Sequence, residues 1–491
     1  MDYIGIDIGT TSVKLLRMDE AGAVKAVVSR EYPLEVNNRG WSQQNPADWW
    51  AQTVSALKEI TAIRPETIAA VSFSGQMHGL VTLDGRDNVI RPAILWNDQR
   101  TQAECDYLNN VIGRDALIAH TANVALTGFT APKILWMRNN EPENFRRIAK
   151  IMLPKDYIAY RLTGVHATDT SDASGMLLLD VEHRQWSVFM LELLGISEKQ
   201  LPQLYESHQV IGAVLPEVAA ATGLPAGCKV VIGGGDQAVG AVGTGTVQDG
   251  MCSVSLGTSG VVFLASDSFR VDASSSALHS FCHASGRYHL MGVTLAAAAS
   301  YQWWIESILQ TKDHDGEQLA IGRLGDNAVY FLPYLNGERT PHNDPAARGL
   351  FVGMNMTTSR ADMTQAVMEG VIFSLRDTVE AAKRLGLPVT RARIIGGGAK
   401  SALWCQMTAD IFGVPVEKIQ SQEGPALGAA ILAAVGGGAY PSVEEACRKL
   451  IKTAESFAPD PLTVERYDER YRHFAALYGQ VKDVFTSLRQ A

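Results

Sequence analysis

Ile6-Asp7-Ile8-Gly9-Thr10-Thr11-Ser12-Val13, near the start of the chain, has a counterpart half a chain later in Val254-Ser255-Leu256-Gly257-Thr258-Ser259-Gly260-Val261. Both stretches run from a strand-like alternation into a glycine and then hydroxyl residues, but Asp7 stands where the second has Ser255. A glycine at a hairpin tip lets a ligand approach the backbone, and exposed N–H and hydroxyl groups suit phosphate oxygens. One such turn also fits an ordinary hairpin. Two copies in matching contexts predict two equivalent domains that hold a polyphosphate between them.

Length and charge limit the classes of function. A single hydrophobic core seldom organises 491 residues, so the chain is expected to form two large domains. The net charge is −9 and there is no basic block, which disfavours nucleic acid and anionic membranes as partners. A bound phosphate would then be held by backbone amides, hydroxyls and a metal ion.

Cysteine usage and hydropathy favour a cytoplasmic protein. The six cysteines are scattered and form no CxxC pair, and the first residues lack the pattern of a secretory signal. The Ala/Gly-rich run over residues 425–439 is too short for a membrane span and predicts a buried helix. We therefore expect no membrane partner.

Strand-like and helix-like segments alternate along the chain, which predicts an α/β fold. Residues 46–63 have helical spacing behind Asn45 as a plausible N-cap, and residues 68–74 read as a buried strand. The second half restarts with the same pattern, so the chain is predicted to be a duplication. A boundary within residues 246–251 gives domains at 1–246 and 247–491, with residues 440–491 expected to be a helical tail.

Asp7 is the first candidate for chemistry. It lies in an otherwise apolar strand, where a carboxylate is costly unless it meets a cation or hydrogen-bond donors. Mg²⁺ is the natural partner, because it prefers a few carboxylates together with substrate phosphates. A capped structural aspartate is the alternative.

Gly233-Gly234-Gly235-Asp236-Gln237 follows a buried strand and carries the second carboxylate. The glycines clear space, and Asp236 is expected on a loop at the mouth of a cleft, where it could take the proton of a phosphoryl-accepting hydroxyl. A helix-capping turn has the same composition.

Two further strand ends suit a sugar. In Gln76-Met77-His78-Gly79, the imidazole can exchange hydrogen bonds with hydroxyls while Met77 supplies an apolar wall. Trp96-Asn97-Asp98-Gln99-Arg100 adds an aromatic face beside polar groups. A half-buried structural histidine and a surface loop are the simpler alternatives.

Two other segments have suggestive compositions. Gly396-Gly397-Gly398-Ala399-Lys400-Ser401, between a strand and a helix, could take a nucleotide at a helix N-terminus, or could be a packing turn. His279-Ser280-Phe281-Cys282-His283 looks like a metal site, but its flanks alternate as strands do, which puts Cys282 on the opposite face from the histidines. A structural role is favoured there.

In these motifs the chain resembles the FGGY carbohydrate kinases of the actin/hexokinase/Hsp70 ATPase superfamily, and the resemblance extends over nearly its whole length. Two segments look like the long signature motifs of that family. They are Gly128-Phe129-Thr130-Ala131-Pro132-Lys133-Ile134-Leu135-Trp136-Met137, and Gly349-Leu350-Phe351-Val352-Gly353-Met354 continuing to Ala366-Val367-Met368-Glu369-Gly370. The resemblance implies two duplicated ribonuclease-H-like domains, a cleft between them for ATP and Mg²⁺, and a homodimer.

The resemblance also implies a role for individual residues. It makes Asp236 the catalytic base and Asp7 the metal-associated aspartate. It implies a sugar site at Met77 and His78, with Trp96 and Gln237 beside them. The nucleotide would contact Thr10, Thr11, Lys14, Gly257 and Thr258 through its phosphates, and Gln302, Gly397, Gly398 and Ser401 on the adenosine side.

Within the family, four segments resemble the members that phosphorylate D-xylulose at its C5 hydroxyl: residues 76–79, 96–100, 171–173 and 334–342. Gluconate and ribulose kinases remain near alternatives, since gluconate kinases share the Met-His pair. A more distant alternative is a nucleotide-switched binding protein of the actin or Hsp70 type, with no sugar chemistry.

Overall fold

A computed structural model of the protein describes residues 1–274, 277–421 and 423–490. The strands, in chain order, are β1 (Asp2–Ile8), β2 (Ser12–Asp19), β3 (Val24–Glu31), β4 (Glu35–Val36), β5 (Ser42–Gln44), β6 (Ile68–Gly75), β7 (Val81–Leu83), β8 (Ala93–Ile94), β9 (Lys150–Met152), β10 (Ala167–Asp169), β11 (Leu179–Asp180), β12 (Gln185–Trp186), β13 (Gln203–Tyr205), β14 (Val210–Ala213), β15 (Lys229–Val231), β16 (Gly234–Gly235), β17 (Met251–Leu256), β18 (Gly260–Ser266), β19 (His279–Cys282), β20 (Tyr288–Thr294), β21 (Tyr330–Leu332), β22 (Leu350–Val352), β23 (Arg391–Ile395), β24 (Val416–Ile419) and β25 (Thr453–Phe457).

The helices are α1 (Pro46–Ile60), α2 (Gln102–Asp106), α3 (Arg114–Thr121), α4 (Thr130–Asn140), α5 (Pro142–Arg146), α6 (Pro154–Thr163), α7 (Thr170–Ser174), α8 (Val188–Leu194), α9 (Pro216–Thr222), α10 (Asp236–Thr244), α11 (Ala298–Gln302), α12 (His314–Leu319), α13 (Arg360–Arg384), α14 (Ala402–Phe412), α15 (Gly424–Gly437), α16 (Val443–Leu450) and α17 (Pro461–Gln490). Helix α1 begins as predicted, because the Asn45 side chain accepts a hydrogen bond from the Ala47 N–H. Among the described residues, no helix combines the length and the apolar character needed to cross a membrane.

Two large sheets share the order and direction of their central strands. The first has the strand order β14-β15-β6-β1-β2-β3, and the second has β25-β24-β23-β17-β18-β20, with β19 added at its edge. Equivalent neighbours also agree in direction: β1 pairs parallel with β6 and antiparallel with β2, as β17 does with β23 and β18. Helices α1 and α13 occupy equivalent places before β6 and β23. The prediction of a duplicated α/β domain is therefore confirmed.

The two opening hairpins differ in the length of their turns. In the first, Ile8 pairs with Val13, whereas in the second Leu256 pairs with Gly260, so the second turn is one residue shorter. The shared Gly-hydroxyl-hydroxyl order therefore lies on two turns of different geometry. Asp7 pairs with Lys14 across the first hairpin.

Helices α10 and α15 hold the two halves together. A Cβ atom on Gly243 would lie 1.9 Å from the Gly424 carbonyl oxygen, and one on Gly428 would lie 1.9 Å from the Val239 carbonyl oxygen. Only glycine permits so close an approach of two helix backbones. Helix α15 also packs across β1 and β6 of the first sheet, where Gly5 lies against Ala426. The alanine-rich run is a buried helix, as predicted.

The tail over residues 440–491 is not wholly helical, and that prediction is wrong in part. Strand β25 pairs antiparallel with β24 and completes the second sheet. Four of its five residues are exposed, so no buried alternation marks it in the sequence. Helix α17 follows, and it buries Tyr467 and Phe474 against Phe373 of α13.

The histidine-rich segment forms β19, in line with the structural interpretation. The His279 Nδ1 atom lies 3.1 Å from the Asn123 Oδ1 atom, and His283 Nε2 lies 2.9 Å from the Thr246 carbonyl oxygen. Within the part of the chain that the structure describes, no group of histidine, cysteine and acidic side chains is placed to hold a metal ion. Both rings serve to tie β19 to neighbouring segments.

Candidate active site

Parallel strands of the first sheet bring the candidate residues to one edge. Asp7 lies near the end of β1, residues 76–79 follow β6, and Asp236 follows β16, which pairs with β6. Loops and side chains at the carboxyl ends of parallel strands are where α/β proteins commonly bind ligands. The sheet thus gathers residues that are up to 229 positions apart in the sequence.

Asp236 is the first residue of helix α10, not a loop residue as predicted. Gly235 is the N-cap, and the chain enters the helix directly from β16. Burial and, after it, the charge of Asp7 raise the pKa of Asp236 to about 7, while hydrogen bonds from the adjacent Gln237 oppose the rise. A carboxylate with a pKa near neutrality is suited to accept a proton at physiological pH.

Asp7 has a buried carboxylate oxygen without a partner. Burial raises its pKa to about 6, opposed by the Ser74 hydroxyl and by Lys14. Among the described residues, none donates a hydrogen bond to the Asp7 Oδ1 atom. An unsatisfied carboxylate oxygen beside a second carboxylate is a donor set that fits Mg²⁺ with its water shell.

The glycines before Asp236 are needed because their surroundings leave no room for a Cβ atom. Gly233 has a φ of +71°, and a Cβ atom there would lie 1.9 Å from the Phe73 carbonyl oxygen. A Cβ atom on Gly235 would lie 2.9 Å from the Met77 Cγ atom. The glycines therefore let β16, which leads into Asp236, lie directly against Met77 of the predicted sugar site.

Met77 and His78 both lie against Gly175 and form a continuous surface, the sugar wall. Met77 is buried, and the His78 Nδ1 atom lies 2.7 Å from the Gly175 carbonyl oxygen. Because a carbonyl only accepts, Nδ1 carries the hydrogen. Burial, and then the charge of Lys133, lower the pKa of His78 to about 3, so the ring is neutral. Its Nε2 atom is then a hydrogen-bond acceptor.

Trp96 connects the sugar wall to the first phosphate turn. Its indole Nε1–H donates to the Thr10 Oγ1 atom over 3.0 Å, while 47% of the residue remains exposed. The exposed ring can cover the C–H groups of a sugar. The bond also fixes the position of Thr10. A substitution of Trp96 is therefore expected to alter phosphate binding at the first turn as well.

The two turns present backbone N–H groups. The glycine amides are used inside each turn, since Gly9 donates to the Ser12 carbonyl and Gly257 donates to the Ser259 carbonyl. In the described ranges, the amides of Thr10, Thr11 and Thr258 donate to no protein acceptor. The hydroxyl residues, rather than the glycines, therefore offer free N–H donors.

Lys14 points toward the second half of the chain. Its Nζ atom lies 3.1 Å from the Glu423 Oε2 atom, and Glu423 is the N-cap of α15. Both side chains are partly exposed, which makes the pair weak and easily exchanged for another partner. A phosphate contact from Lys14, which the resemblance implies, would have to replace or share this pair.

The four residues that are predicted to contact the adenosine are not all free to bind a ligand. Gly397 has open space where a Cβ atom would stand, whereas Gly398 is pressed against Leu256. The Ser401 hydroxyl caps helix α14 by accepting from the Trp404 N–H, and it donates to Gln318. Gln302 ends helix α11 and donates to Glu306. Of these four positions, Gly397 is the one open to a ligand without a rearrangement.

A buried network beneath Asp236 escaped the sequence analysis. The Lys155 Nζ atom contacts carboxylate oxygens of Asp156 at 2.6 Å and of Asp169 at 3.0 Å. Asp169 accepts hydrogen bonds from Ser171, whose Oγ atom accepts from the Gly235 N–H. The network thus fixes the residue immediately before Asp236. The available signal was the charged pair Lys155-Asp156 within the largely apolar stretch of residues 151–159.

The chain matches two adjacent sequence profiles. The profile for the N-terminal domain of the FGGY family of carbohydrate kinases matches residues 2–243, and the profile for the C-terminal domain matches residues 252–437. A xylulose kinase from Bacillus subtilis (strain 168) is 42% identical over 494 residues, which cover 99% of this chain and 98% of the relative.

Solved structures agree with these matches. A crystal structure of a xyloylose kinase from Brucella ovis has a TM-score of 0.93 and 38% identity, covering 99% of this chain and 100% of that one. A crystal structure of gluconate kinase from Lactobacillus acidophilus has a TM-score of 0.94 and 26% identity, covering 99% of each chain. The fold is therefore the two-domain, actin/hexokinase-like fold that the resemblance implied. The chain belongs to the FGGY family of carbohydrate kinases.

Proposed function

We propose that this protein transfers the terminal phosphoryl group of ATP to the C5 hydroxyl of D-xylulose, giving D-xylulose 5-phosphate and ADP. The observation that carries the proposal is the position of Asp236. Its carboxylate has a pKa of about 7 and stands at one end of the wall formed by Met77 and His78. Similarity to named xylulose kinases over nearly the full chain supports the choice of sugar.

Asp236 acts as the general base. The C5 oxygen forms a bond to the γ-phosphorus while the bond to the β,γ-bridging oxygen breaks, and ADP leaves with that oxygen. The hydroxyl proton passes to the Asp236 carboxylate. Because phosphoryl transfer has a loose transition state, the positioning of the hydroxyl contributes more than the strength of the base.

Asp7 would hold Mg²⁺, and the ion would neutralise charge on the phosphate oxygens when bound. The unpartnered Asp7 Oδ1 atom supports this assignment. The role of Asp7 itself is to keep a carboxylate oxygen facing the cleft without a competing protein donor.

The nucleotide is proposed to lie across both turns. The free amides of Thr10, Thr11 and Thr258 would contact phosphate oxygens, with Gly257 and Lys14 nearby. The adenosine side would use Gly397 and Gly398, and Gln302 or Ser401 after rearrangement. This arrangement makes residues 1–246 the sugar-binding domain and 247–491 the nucleotide-binding domain. Closure of the two would exclude water as a competing acceptor. A homodimer and a cytoplasmic location are proposed on the family resemblance.

A gluconate kinase is the second candidate. The observation in its favour is the TM-score of 0.94 with the gluconate kinase from Lactobacillus acidophilus, at 26% identity. A xylulose kinase structure from the same organism gives the same TM-score and the same identity. The overall fold therefore does not discriminate between D-xylulose and gluconate as the substrate. Activity measurements on both compounds are needed to do so.

The test is ADP release measured with a coupled assay over D-xylulose, D-ribulose, D-gluconate, xylitol and glycerol, each with Mg-ATP. The proposal expects the largest kcat/KM with D-xylulose. A larger kcat/KM with gluconate or ribulose would replace the substrate. ATP hydrolysis at the same rate with and without sugar would favour a nucleotide-switched binding protein instead.

A further inference from the structure

Among the described residues, none is a hydrogen-bond or ion-pair partner of the Arg339 guanidinium. Arg339 lines a cavity of about 530 Å³ between the two halves of the molecule, together with Trp96, Asn97 and Gly128 from the first half. Burial lowers the pKa of Arg339, opposed only by Glu338. Arg339 is half-buried, and a partly desolvated guanidinium without a protein acceptor is well placed to bind a ligand.

The backbone around Arg339 is held firmly by its neighbours. Glu338 accepts hydrogen bonds from the Thr294 hydroxyl, from the Leu295 N–H and from the Arg339 N–H. Thr340 exchanges hydrogen bonds with Val293, its N–H donating to the carbonyl and its hydroxyl accepting from the amide. These bonds fasten the segment to the end of strand β20. The backbone is therefore fixed, while the side chain is left free to meet a ligand.

Arg339 faces the sugar wall from the opposite half. Its charge lowers the pKa of His78 and of His279. The cavity agrees with this placement, because it is also lined by Trp96 and by Gly128, and Gly128 precedes Phe129, whose ring is 4.6 Å from the His78 ring.

The order of the residues along the wall formed by Met77 and His78 sets the direction in which a bound sugar lies. Gly235, next to Asp236, lies against Met77, and Met77 and His78 both lie against Gly175. A sugar whose C5 hydroxyl is at Asp236 therefore runs along Met77 toward His78. Its C1 and C2 atoms come to the end where Arg339 stands.

Hydrogen-bond roles at that end are complementary. A guanidinium only donates, and a ketone oxygen only accepts. The neutral His78 ring, which donates through Nδ1 to Gly175, keeps Nε2 as an acceptor for a sugar hydroxyl. Together the two side chains fit a ketone beside a hydroxyl, which is the arrangement at C2 and C1 of a 2-ketose.

We propose that Arg339 is a specificity residue that the second half of the molecule supplies to the sugar site, where it donates to the C2 ketone oxygen of a 2-ketose. This inference rests on the proposed function and deepens it, because it explains how a ketose would be distinguished from the corresponding polyol.

The experiment compares wild type with Arg339→Gln and Arg339→Lys. For each protein, kcat and KM are measured with D-xylulose and with 1-deoxy-D-xylulose, which keeps the ketone. Affinities for D-xylulose and for xylitol, in which C2 is reduced, are measured by calorimetry. Arg114→Gln is the matched control, because Arg114 lines the same cavity but is exposed and is not among the charges that act on His78.

We expect Arg339→Gln to lower kcat/KM about 10- to 100-fold for both ketoses, mainly through KM, as for loss of a hydrogen bond to a charged donor. Xylitol affinity should change less than about 3-fold, and Arg339→Lys should fall between wild type and the glutamine variant. Arg114→Gln should stay within about 2-fold of wild type.

Equal losses for D-xylulose and xylitol would mean that Arg339 supports the fold rather than the ketone, and this would overturn the inference. Unchanged kinetics in both variants would also overturn it. If Arg339→Gln does not fold, Arg339→Lys, which keeps the charge, decides the matter by the same ketose-to-polyol ratio. A wild-type protein that does not phosphorylate D-xylulose would overturn the proposed function as well, before any variant is compared.

Discussion

Asp7, near the end of β1, and Asp236, at the start of α10, lie at the same edge of the first sheet, and the negative charge of Asp7 is the second cause, after burial, of the raised pKa of Asp236. The pKa of Asp7 is about 6 and that of Asp236 is about 7. The charge of Asp7 makes Asp236 harder to ionise. The pairing gives Asp236 basic strength that a solvent-exposed aspartate does not have.

The first prediction concerns this coupling. Asp7→Asn removes one negative charge, so the pKa of Asp236 should move toward acid pH in the protein free of nucleotide and metal. Carboxyl carbon NMR of ¹³C-labelled aspartate, with Asp236→Asn used to identify the resonance, measures the shift. An unchanged Asp236 titration in Asp7→Asn would show that burial alone sets the value.

The second prediction concerns catalysis. Asp236→Asn should reduce kcat by about 10²–10⁴, the usual loss for a general base, while KM for D-xylulose changes only a few-fold. Steady-state ADP release measures both constants. Asp48→Asn is the control, since Asp48 is also an aspartate in the first turn of a helix but lies on α1. A kcat for Asp236→Asn within a few-fold of wild type would exclude Asp236 as the base.

Much of the fold could be predicted because its signals are local. A glycine between two alternating strands specifies a hairpin, and Asn45 before Pro46 specifies a helix start, whatever the rest of the chain does. The duplication followed because Asp7 and Ser255 stand at equivalent positions of two such hairpins. The family resemblance rested on long motifs, and the comparisons confirm it.

The parts that could not be predicted depend on partners far apart in the sequence. Arg339 affects the pKa of His78 across 261 positions of sequence, and no local pattern encodes that approach. The Lys14–Glu423 pair is of the same kind. Strand β25 was missed because it lies at a sheet edge with its side chains exposed, so it lacks the alternation that identifies a strand.

The third prediction concerns the contact between α10 and α15. In Gly243→Ala the new methyl group would meet the Gly424 carbonyl oxygen at 1.9 Å, so the helices must separate. Overpacking of this kind typically costs about 1–3 kcal/mol. Because α10 begins with Asp236, kcat should also fall.

Gly240→Ala on the same helix is the control for that prediction. Its Cβ atom would lie 3.6 Å from the Pro425 Cγ atom, which is an ordinary contact. Alanine is favoured over glycine inside a helix by about 0.5–1 kcal/mol, so this variant should be as stable as wild type or slightly more so. Thermal unfolding measures both variants. Equal Tm values for the two would contradict the close packing of these helices.

The fourth prediction concerns Asp172, which lies between the Lys155 network and Asp236. Among the described residues, none donates a hydrogen bond to either carboxylate oxygen of Asp172. The Asp172 Oδ2 atom lies 3.9 Å from the Lys155 Nζ atom. Burial raises the pKa of Asp172 well above its usual range, and the charges of Asp156, Asp169 and Asp236 add to this effect against Lys155. The folded protein therefore keeps a proton on Asp172 at a pH where the unfolded chain has lost it.

The sign of the pH dependence at Asp172 follows from that difference. The unfolded carboxyl ionises near pH 3.9, so above about that pH the unfolded state is favoured increasingly, until the folded group ionises as well. Asp172→Asn cannot ionise and should escape this loss, so its Tm should exceed that of wild type by a margin that grows as the pH rises above about 5. Differential scanning calorimetry across that range, with Asp48→Asn as the control, measures the margin. A margin that shrinks toward alkaline pH would mean that Asp172 is ionised in the folded protein and is stabilised there by Lys155.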